Sequence, residues 1–320
     1  MNMDQNFMNT SQYCSLITKE LAPSIIGTAG YKPCQIFLEL AQPWSSNILL
    51  SEKVPEGVDI LMKDLMRKYK TPINLNAICS DQTPDRDALN LMILYCLPGS
   101  HQYTYLRYKV SFGQIVPFLR QSLTSLFTGE APEEPSSIGE GRAMMVCCHG
   151  QRDRCCGEFG LELYRHMREF CLSRGLDIEV WKASHIGGHK YAPTLIDLPS
   201  MRVWGHLSTK EAESLLLRDQ SASTLIKRYR GFCGLPTAYE QFAEAEAFKQ
   251  YSWEWLSQAP YKISSKWDKS QDQTKGEVSF YSKKSEEPFF HCAITQTGTF
   301  ESQASCLKPE KKSIPIFART

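Results

Sequence analysis

The chain has 320 residues, 42% hydrophobic and 22% charged, with 36 basic against 35 acidic side chains and a net charge of +1. That balance excludes the basic excess of a general nucleic-acid binder, and no run approaches the roughly 20 apolar residues of a membrane-spanning helix. The N-terminal MNMDQNFMNTSQYC has neither the basic and apolar regions of a secretory signal nor the arginines of a transit peptide, so a cytoplasmic location is expected.

Residues 1–15 are polar and read as loose. KPCQIFLEL at 32–40 alternates as a strand and stops at Pro43-Trp44. VDILMKDLMRK at 58–68 places Leu61, Met62, Leu65 and Met66 at helical spacing. Short apolar strands follow at 73–79, 91–96 and 103–111. The segment 114–127 is an amphipathic helix carrying Ile115, Phe118, Leu119, Leu123 and Leu126. Mixed strands and helices over 1–128 describe an α/β lobe. GEAPEEPSSIGE has linker composition, and residues 129–141 are expected to join this lobe to the next.

The second lobe, 142–249, opens with an apolar strand at 143–148 that runs into cysteines. A helix over 159–172, closed by Gly175, leads to a strand at 176–180. Strands at 193–198 and 201–207 form a hairpin across Pro199-Ser200. TKEAESLLL starts a helix capped by Ser208 or Thr209. The order is β-α-β-β-β-α. Residues 224–249 read as further helix broken by Gly231 and Gly234. From 250 to 320 the composition shifts to a small β extension, with strands at 277–281, 289–295 and 300–305. The Lys/Arg clusters at 227–230, 283–284 and 311–312 read as solvated faces.

The chemistry concentrates between Cys147 and Lys190, where five of the 12 cysteines and four of the seven histidines fall. In a reducing compartment such clustering points to metal or redox chemistry before disulfides. Cys34, Cys79, Cys96 and Cys171 read as buried apolar thiols, and Cys233, Cys292 and Cys306 as buried or incidental ones. Thiolates and imidazoles together suit zinc or iron–sulfur chemistry. His185 and His189 flank Gly187-Gly188, and each glycine costs a helix about 1 kcal/mol, so a loop wrapping a bulky group is expected there. Cys148 and Cys156 are too far apart for the tight C-x₂₋₄-C knuckle of structural zinc. Each ligand group follows a strand. If the two strands are neighbours in a parallel β-α-β unit, both loops leave at one sheet edge.

Cys148-His149-Gly150, Arg152-Asp153, Cys155-Cys156 and Ser184-His185-Ile186-Gly187-Gly188-His189-Lys190-Tyr191-Ala192 together resemble the sucrase/ferredoxin-like family. Weaker echoes lie at Gly27-Thr28-Ala29, Pro43-Trp44 and Tyr229-Arg230-Gly231. The resemblance implies a thioredoxin-like ferredoxin domain binding a [2Fe-2S] cluster, with Cys148 and Cys156 on one iron and His185 and His189 on the other. Both cysteine positions are doublets, so Cys147 and Cys155 are the second-choice ligands. Cys148 is preferred because it directly precedes His149-Gly150, and Cys156 because it precedes Gly157. Neighbours on a strand face opposite ways, which turns Cys147 toward the core. His149, Arg152, Asp153 and Lys190 are expected around the ligands: His149 bonded to backbone, Arg152 and Lys190 offsetting charge or docking a partner, and Asp153 capping the following helix.

The expected function is electron transfer or redox sensing, the protein acting as a carrier and not as the site of a substrate reaction. Histidine ligation raises the potential and allows proton uptake on reduction. The expected partners are a redox donor and acceptor, with no nucleic acid and no membrane. Two alternatives stand beside this reading: a thiol–disulfide or peroxide-reducing enzyme using the cysteines between 147 and 156, and a zinc-binding interaction module.

Overall fold

A computed structural model describes residues 13–96, 101–135, 137–138, 140–257, 262–269, 274–282, 285–306 and 308–320. Of the residues 1–15 expected to be loose, 1–12 lie outside the described residues, as does the basic pair at 283–284, whereas Cys14 and Ser15 are buried in a helix. The architecture is mixed α/β. The first lobe contains β1 (Cys34–Glu39), α2 (Val58–Tyr69), β2 (Ile73–Cys79), β3 (Leu89–Cys96), β4 (Tyr103–Val110) and α3 (Ile115–Thr128), preceded by α1 (Cys14–Leu21). β1 and β2 pair in parallel around α2, β3 returns antiparallel beside β1, and β4 pairs with β3.

The second lobe repeats that connection order. It runs β6 (Arg142–Cys147), α4 (Leu161–Arg174), β7 (Ile178–Ala183), β8 (Thr194–Leu198), β9 (Arg202–Gly205) and α5 (Thr209–Leu217). β6 and β7 are parallel, β8 is antiparallel to β6, and β9 is antiparallel to β8. The parallel neighbours put both ligand loops at one sheet edge, as the sequence order implies. A capping box between Ser208 and Glu211 starts α5. The segment between the lobes adds the two-residue β5 (Ser137–Ile138) beside β4.

The lobes join through β2 and β7, which pair antiparallel at their C-terminal ends, Ile78 with Ala183 and Cys79 with Lys182. One ten-stranded sheet results, in the order β10-β9-β8-β6-β7-β2-β1-β3-β4-β5, where β10 is Tyr229–Phe232. Because the strands meet end to end, the loops after β1 and β2 come to lie beside the loops after β6 and β7. The sheet curls. On the α2 and α3 side, Ile36 and Leu38 pack with Leu61 and Leu119. On the opposite face, Phe37 and Met92 of one lobe close with Met145 and Ile196 of the other.

Beyond α5 the chain departs from the expected broken helix. After the short α6 (Ala222–Leu225), residues Tyr229–Phe232 form β10 beside β9, and only then does α7 (Ala238–Tyr251) begin at a Thr237–Glu240 capping box. The basic cluster at 227–230 is correspondingly not a solvated face. Arg228 pairs with Glu211 at 2.8 Å, and Arg230 is buried. The C-terminal residues build a separate four-stranded antiparallel sheet of β11 (Lys262–Lys269), β12 (Thr274–Tyr281), β13 (Pro288–Ser305) and β14 (Lys308–Arg319). Phe280, Phe290 and Ile294 of this sheet pack against Phe248 and Trp255. The sequence pattern missed β11 and β14 and split β13 in two. At 18 residues and about 3.3 Å per residue, β13 is about 60 Å long. That length carries its far end back across the molecule to α1, where Thr18 and Ser302 hydroxyls meet at 2.9 Å.

Candidate metal centre

At the end of β6, side chains alternate across the sheet. Met145 and Cys147 face the core shared by the lobes, while Met144, Val146 and Cys148 face α4 with Leu163 and Met167. Cys147 faces the core as expected, but the core it faces is the one that also holds Cys156, whereas Cys148 lies on the opposite face. The sheet is buried on both faces, so alternation separated the two cysteines without saying which face carried the site. The structure gathers Cys147, Cys156 and His185, whose sulfurs and one ring nitrogen all lie within 4.8 Å of one another. His185 Nδ1 is 3.9 Å from Cys147 Sγ and 4.0 Å from Cys156 Sγ. Cys148 sits on the other face, its amide donating to the Ala183 carbonyl at 3.0 Å. Cys155 points elsewhere, its sulfur 3.7 Å from that of Cys14 and 3.2 Å from that of Cys306.

Cys156 reaches the group through an irregular helix start. Residues Cys156–Gly160 form one π-helical turn before α4, a widening that recurs at functional sites. Gly160 is required there, because a Cβ on it would land on the carbonyl oxygen of Cys147. His185 and His189 follow β7, their rings 5.3 Å apart and 30° from parallel. Gly188 between them has φ +79°, and a Cβ on it would run into the Arg230 guanidinium.

The supporting contacts explain motifs that the sequence left isolated. Arg230, 3% exposed, donates to Gly187 O and Thr194 Oγ1 at 3.0 Å each, to Thr28 O at 2.6 Å and to Thr28 Oγ1 at 3.2 Å. Its own carbonyl accepts from the amides of Gly27, Thr28 and Ala29. The Gly27-Thr28-Ala29 and Tyr229-Arg230-Gly231 echoes are thus two sides of one clamp on the histidine loop. Pro43-Trp44 supports the cysteine loop: His149 Nε2 donates to Trp44 O at 3.2 Å, and His149 Nδ1 accepts the His185 amide at 3.2 Å. His149 is bonded to backbone at both ring nitrogens. Asn76, absent from the sequence reading, donates to Ser184 Oγ and to His185 O at 3.0 Å each.

Asp153 caps the helix start by accepting the Cys155 amide at 2.9 Å, and its other oxygen accepts the Cys306 amide at 3.2 Å. His189 Nε2 hydrogen-bonds the Ala304 carbonyl and lies 3.8 Å from the Asp153 carboxylate. Arg152 is exposed, whereas Lys190 is buried with its ammonium over the Tyr191 ring.

Electrostatics separates the two sulfurs of the group. Cys147 is held well below the ordinary thiol range, first by its bond with Cys156 and then by His185. The same pairing, together with burial, pushes Cys156 up. Burial first, and then the neighbouring Cys147 and Cys79, raise Cys148 well above the usual value. Burial also lowers His149 and His189, keeping both neutral. Lys32 and Arg230 are buried cations close enough to feel the Cys147 charge.

His189 Nδ1 is buried with no hydrogen-bond partner among the described residues, and its ring neighbours that of His185. An unpaired buried acceptor costs about 1–3 kcal/mol, and a metal ligand is the role that removes the cost. Two buried sulfurs and a His185 nitrogen converge from the two loops, with the His189 ring next to that of His185, a soft donor set that would suit iron–sulfur chemistry.

A protein-family model described as sucrase/ferredoxin-like matches residues 25–231. The chain is also 25% identical over 216 residues to Altered inheritance of mitochondria protein 32 of Debaryomyces hansenii, covering 60% of this chain and 77% of that protein. It is 30% identical over 92 residues to the protein of the same name from Clavispora lusitaniae, covering 28% of this chain and 34% of the other. No solved structure matches. Among the described residues no helix is long and apolar enough to cross a membrane.

Proposed function

The chain belongs to the sucrase/ferredoxin-like family, and from that membership and the convergence at the end of β6 we propose that it binds a [2Fe-2S] cluster and transfers electrons one at a time. The observation that carries the reading is the grouping of Cys147, Cys156 and His185 within 4.8 Å, with the His189 ring 5.3 Å from that of His185. The proposed ligands are Cys147 and Cys156 on one side and His185 and His189 on the other. Cys147 takes the place that the motif alone assigned to Cys148.

When bound, such a cluster supplies reversible one-electron chemistry, at a potential raised by imidazole in place of thiolate. The protein's own residues do the rest. Cys147 and Cys156 are 0% exposed, so the thiolate side is shielded from water. Arg230 and Lys32 set positive charge beside the sulfurs and favour the electron-rich state. His149 and Asn76 fix the His185 backbone, and Arg230 fixes Gly187. The His189 Nε2–H is held by the Ala304 carbonyl. His185 is half-buried and is the imidazole placed to exchange a proton as charge arrives. The partner is another redox protein, docking where His185 approaches the surface. The β9-β8-β6-β7 order, with its one parallel pair, supports a thioredoxin-like reading of this lobe. The many unpaired thiols suit a reducing aqueous compartment such as the cytoplasm.

The depressed Cys147 thiol beside Cys156 is the observation that favours a thiol–disulfide enzyme instead. Catalytic thiols need access, and the complete burial of both sulfurs opposes that reading. Anaerobic reconstitution with iron and sulfide tests the proposal. A coloured protein with equal iron and acid-labile sulfide is expected. A colourless protein that takes only zinc, or only titrates as two free thiols, would overturn it.

A further inference from the structure

A second group of metal-binding side chains lies outside the site described above. We propose that Cys14, Cys155, Cys306 and Asp153 form a closed tetrahedral zinc site, which fastens α1 and the β13–β14 sheet to the loop that carries Cys156. The three sulfurs are 3.2, 3.4 and 3.7 Å apart. An Asp153 oxygen lies within 4.8 Å of each of them. A tetrahedral zinc with bonds of about 2.3 Å holds its sulfurs about 3.8 Å apart, so the sulfurs already stand near the corners such an ion needs. Cys14, Asp153 and Cys155 are each at most 1% exposed. Tyr13, Phe159 and Ala192 pack around the cysteines. Three of the four donors are buried and only Cys306 is partly exposed, a pattern that suits a structural site.

The chemistry of the donors selects the ion. Three soft sulfurs and a carboxylate match zinc in its common four-coordinate form. On binding, three thiols release three protons, and the site carries two net negative charges from three thiolates, one carboxylate and the divalent ion. The Arg154 guanidinium, 4.9 Å from the Tyr13 ring, hydrogen-bonds Cys306 and offsets that charge. A disulfide would use two of the sulfurs and leave the third against it.

The contributing residues come from three distant parts of the chain, Cys14 and Cys306 being 292 residues apart. Both lie outside the residues 25–231 that the family model matches, so this site is distinct from the cluster ligands. It also bears on them. Ala304, two residues before Cys306, holds His189 Nε2, and Asp153 is the residue through which the two groups meet.

The test uses full-length protein expressed with zinc and iron supplied, and measures zinc, iron and sulfide in each sample. Wild type is expected to carry one equivalent of zinc in addition to iron. The C14S/C306S chain should lose the zinc, and the C147S/C156S chain should lose the iron and keep the zinc. Because iron and zinc are read separately, failure of this site and failure of the cluster reading give different results. Zinc unchanged in C14S/C306S, zinc absent from wild type, or zinc lost from C147S/C156S while C14S/C306S keeps it would each overturn the proposal. So would a wild-type mass lower by two hydrogens, with a cross-link mapped among Cys14, Cys155 and Cys306.

Discussion

Replacing Arg230 by methionine tests the support of the histidine loop. The side chain is 3% exposed and makes four hydrogen bonds of 2.6 to 3.2 Å, two of them to the carbonyls of Gly187 and Thr28. Methionine fills similar volume and removes both the charge and the donors. Each stripped buried carbonyl costs about 1–3 kcal/mol, and bonds sharing one side chain do not add fully. A loss of about 3–5 kcal/mol follows, in line with other buried charges stripped of their partners. Urea unfolding followed by tryptophan fluorescence reads it as a fall in midpoint. Arg230→Lys supplies the second arm, because lysine keeps the charge near Cys147 without the planar fork. It should recover little stability yet leave the electron affinity of the site closer to wild type than methionine does. An Arg230→Met chain within about 1 kcal/mol of wild type, with unchanged iron content, would refute the clamp.

Three further outcomes follow. Gly160→Ala places a Cβ on the Cys147 carbonyl oxygen. It should lower stability by about 1–3 kcal/mol and impair iron retention, checked by thermal unfolding and iron assay. His206 is buried, and burial lowers it to about 3 from 6.5, so the unfolded chain binds a proton that the folded one refuses. Its contribution is therefore fully present above about pH 6.5 and declines as pH falls toward 3, by at most about 1.4 kcal/mol per pH unit. Urea midpoints should drop on acidification, and His206→Asn, which tolerates the φ of 53° there, should flatten that slope; a slope unchanged in the variant contradicts the assignment. Finally, the reduction potential should fall as pH rises between about pH 6 and 9. His185→Cys should lower the potential and abolish that dependence, whereas a wild-type potential flat across the range removes proton coupling through His185.

The β6-α4-β7 unit was legible because its strands are short apolar runs and its helix ends at a glycine. The convergence of two ligand loops followed from strand adjacency alone. Choosing within the Cys147-Cys148 doublet needed knowledge of which buried face held the site, and alternation carries no such sign. The π-helical turn at Cys156 has no periodic signature and is visible only once Gly160 packs on Cys147. Arg230 was read as part of a solvated cluster because charge composition does not record burial, and its partners lie 202 and 43 residues away in Thr28 and Gly187. Cys14 and Cys306 were beyond any local pattern for the same reason. The two-residue pairing of β2 with β7 that merges the lobes is too short to leave a trace in sequence.

The cluster assignment is tested most directly by iron and acid-labile sulfide in two single variants prepared side by side, Cys147→Ser and Cys148→Ser. Cys148→Ser should retain equal iron and sulfide and the visible spectrum of the wild type, with only a modest loss of stability from a polar group in the α4 core. Cys147→Ser should hold neither iron nor sulfide. Full cluster content in Cys147→Ser together with its loss in Cys148→Ser would contradict the ligand set, and absence of iron and sulfide from wild type after anaerobic reconstitution would contradict the cluster itself.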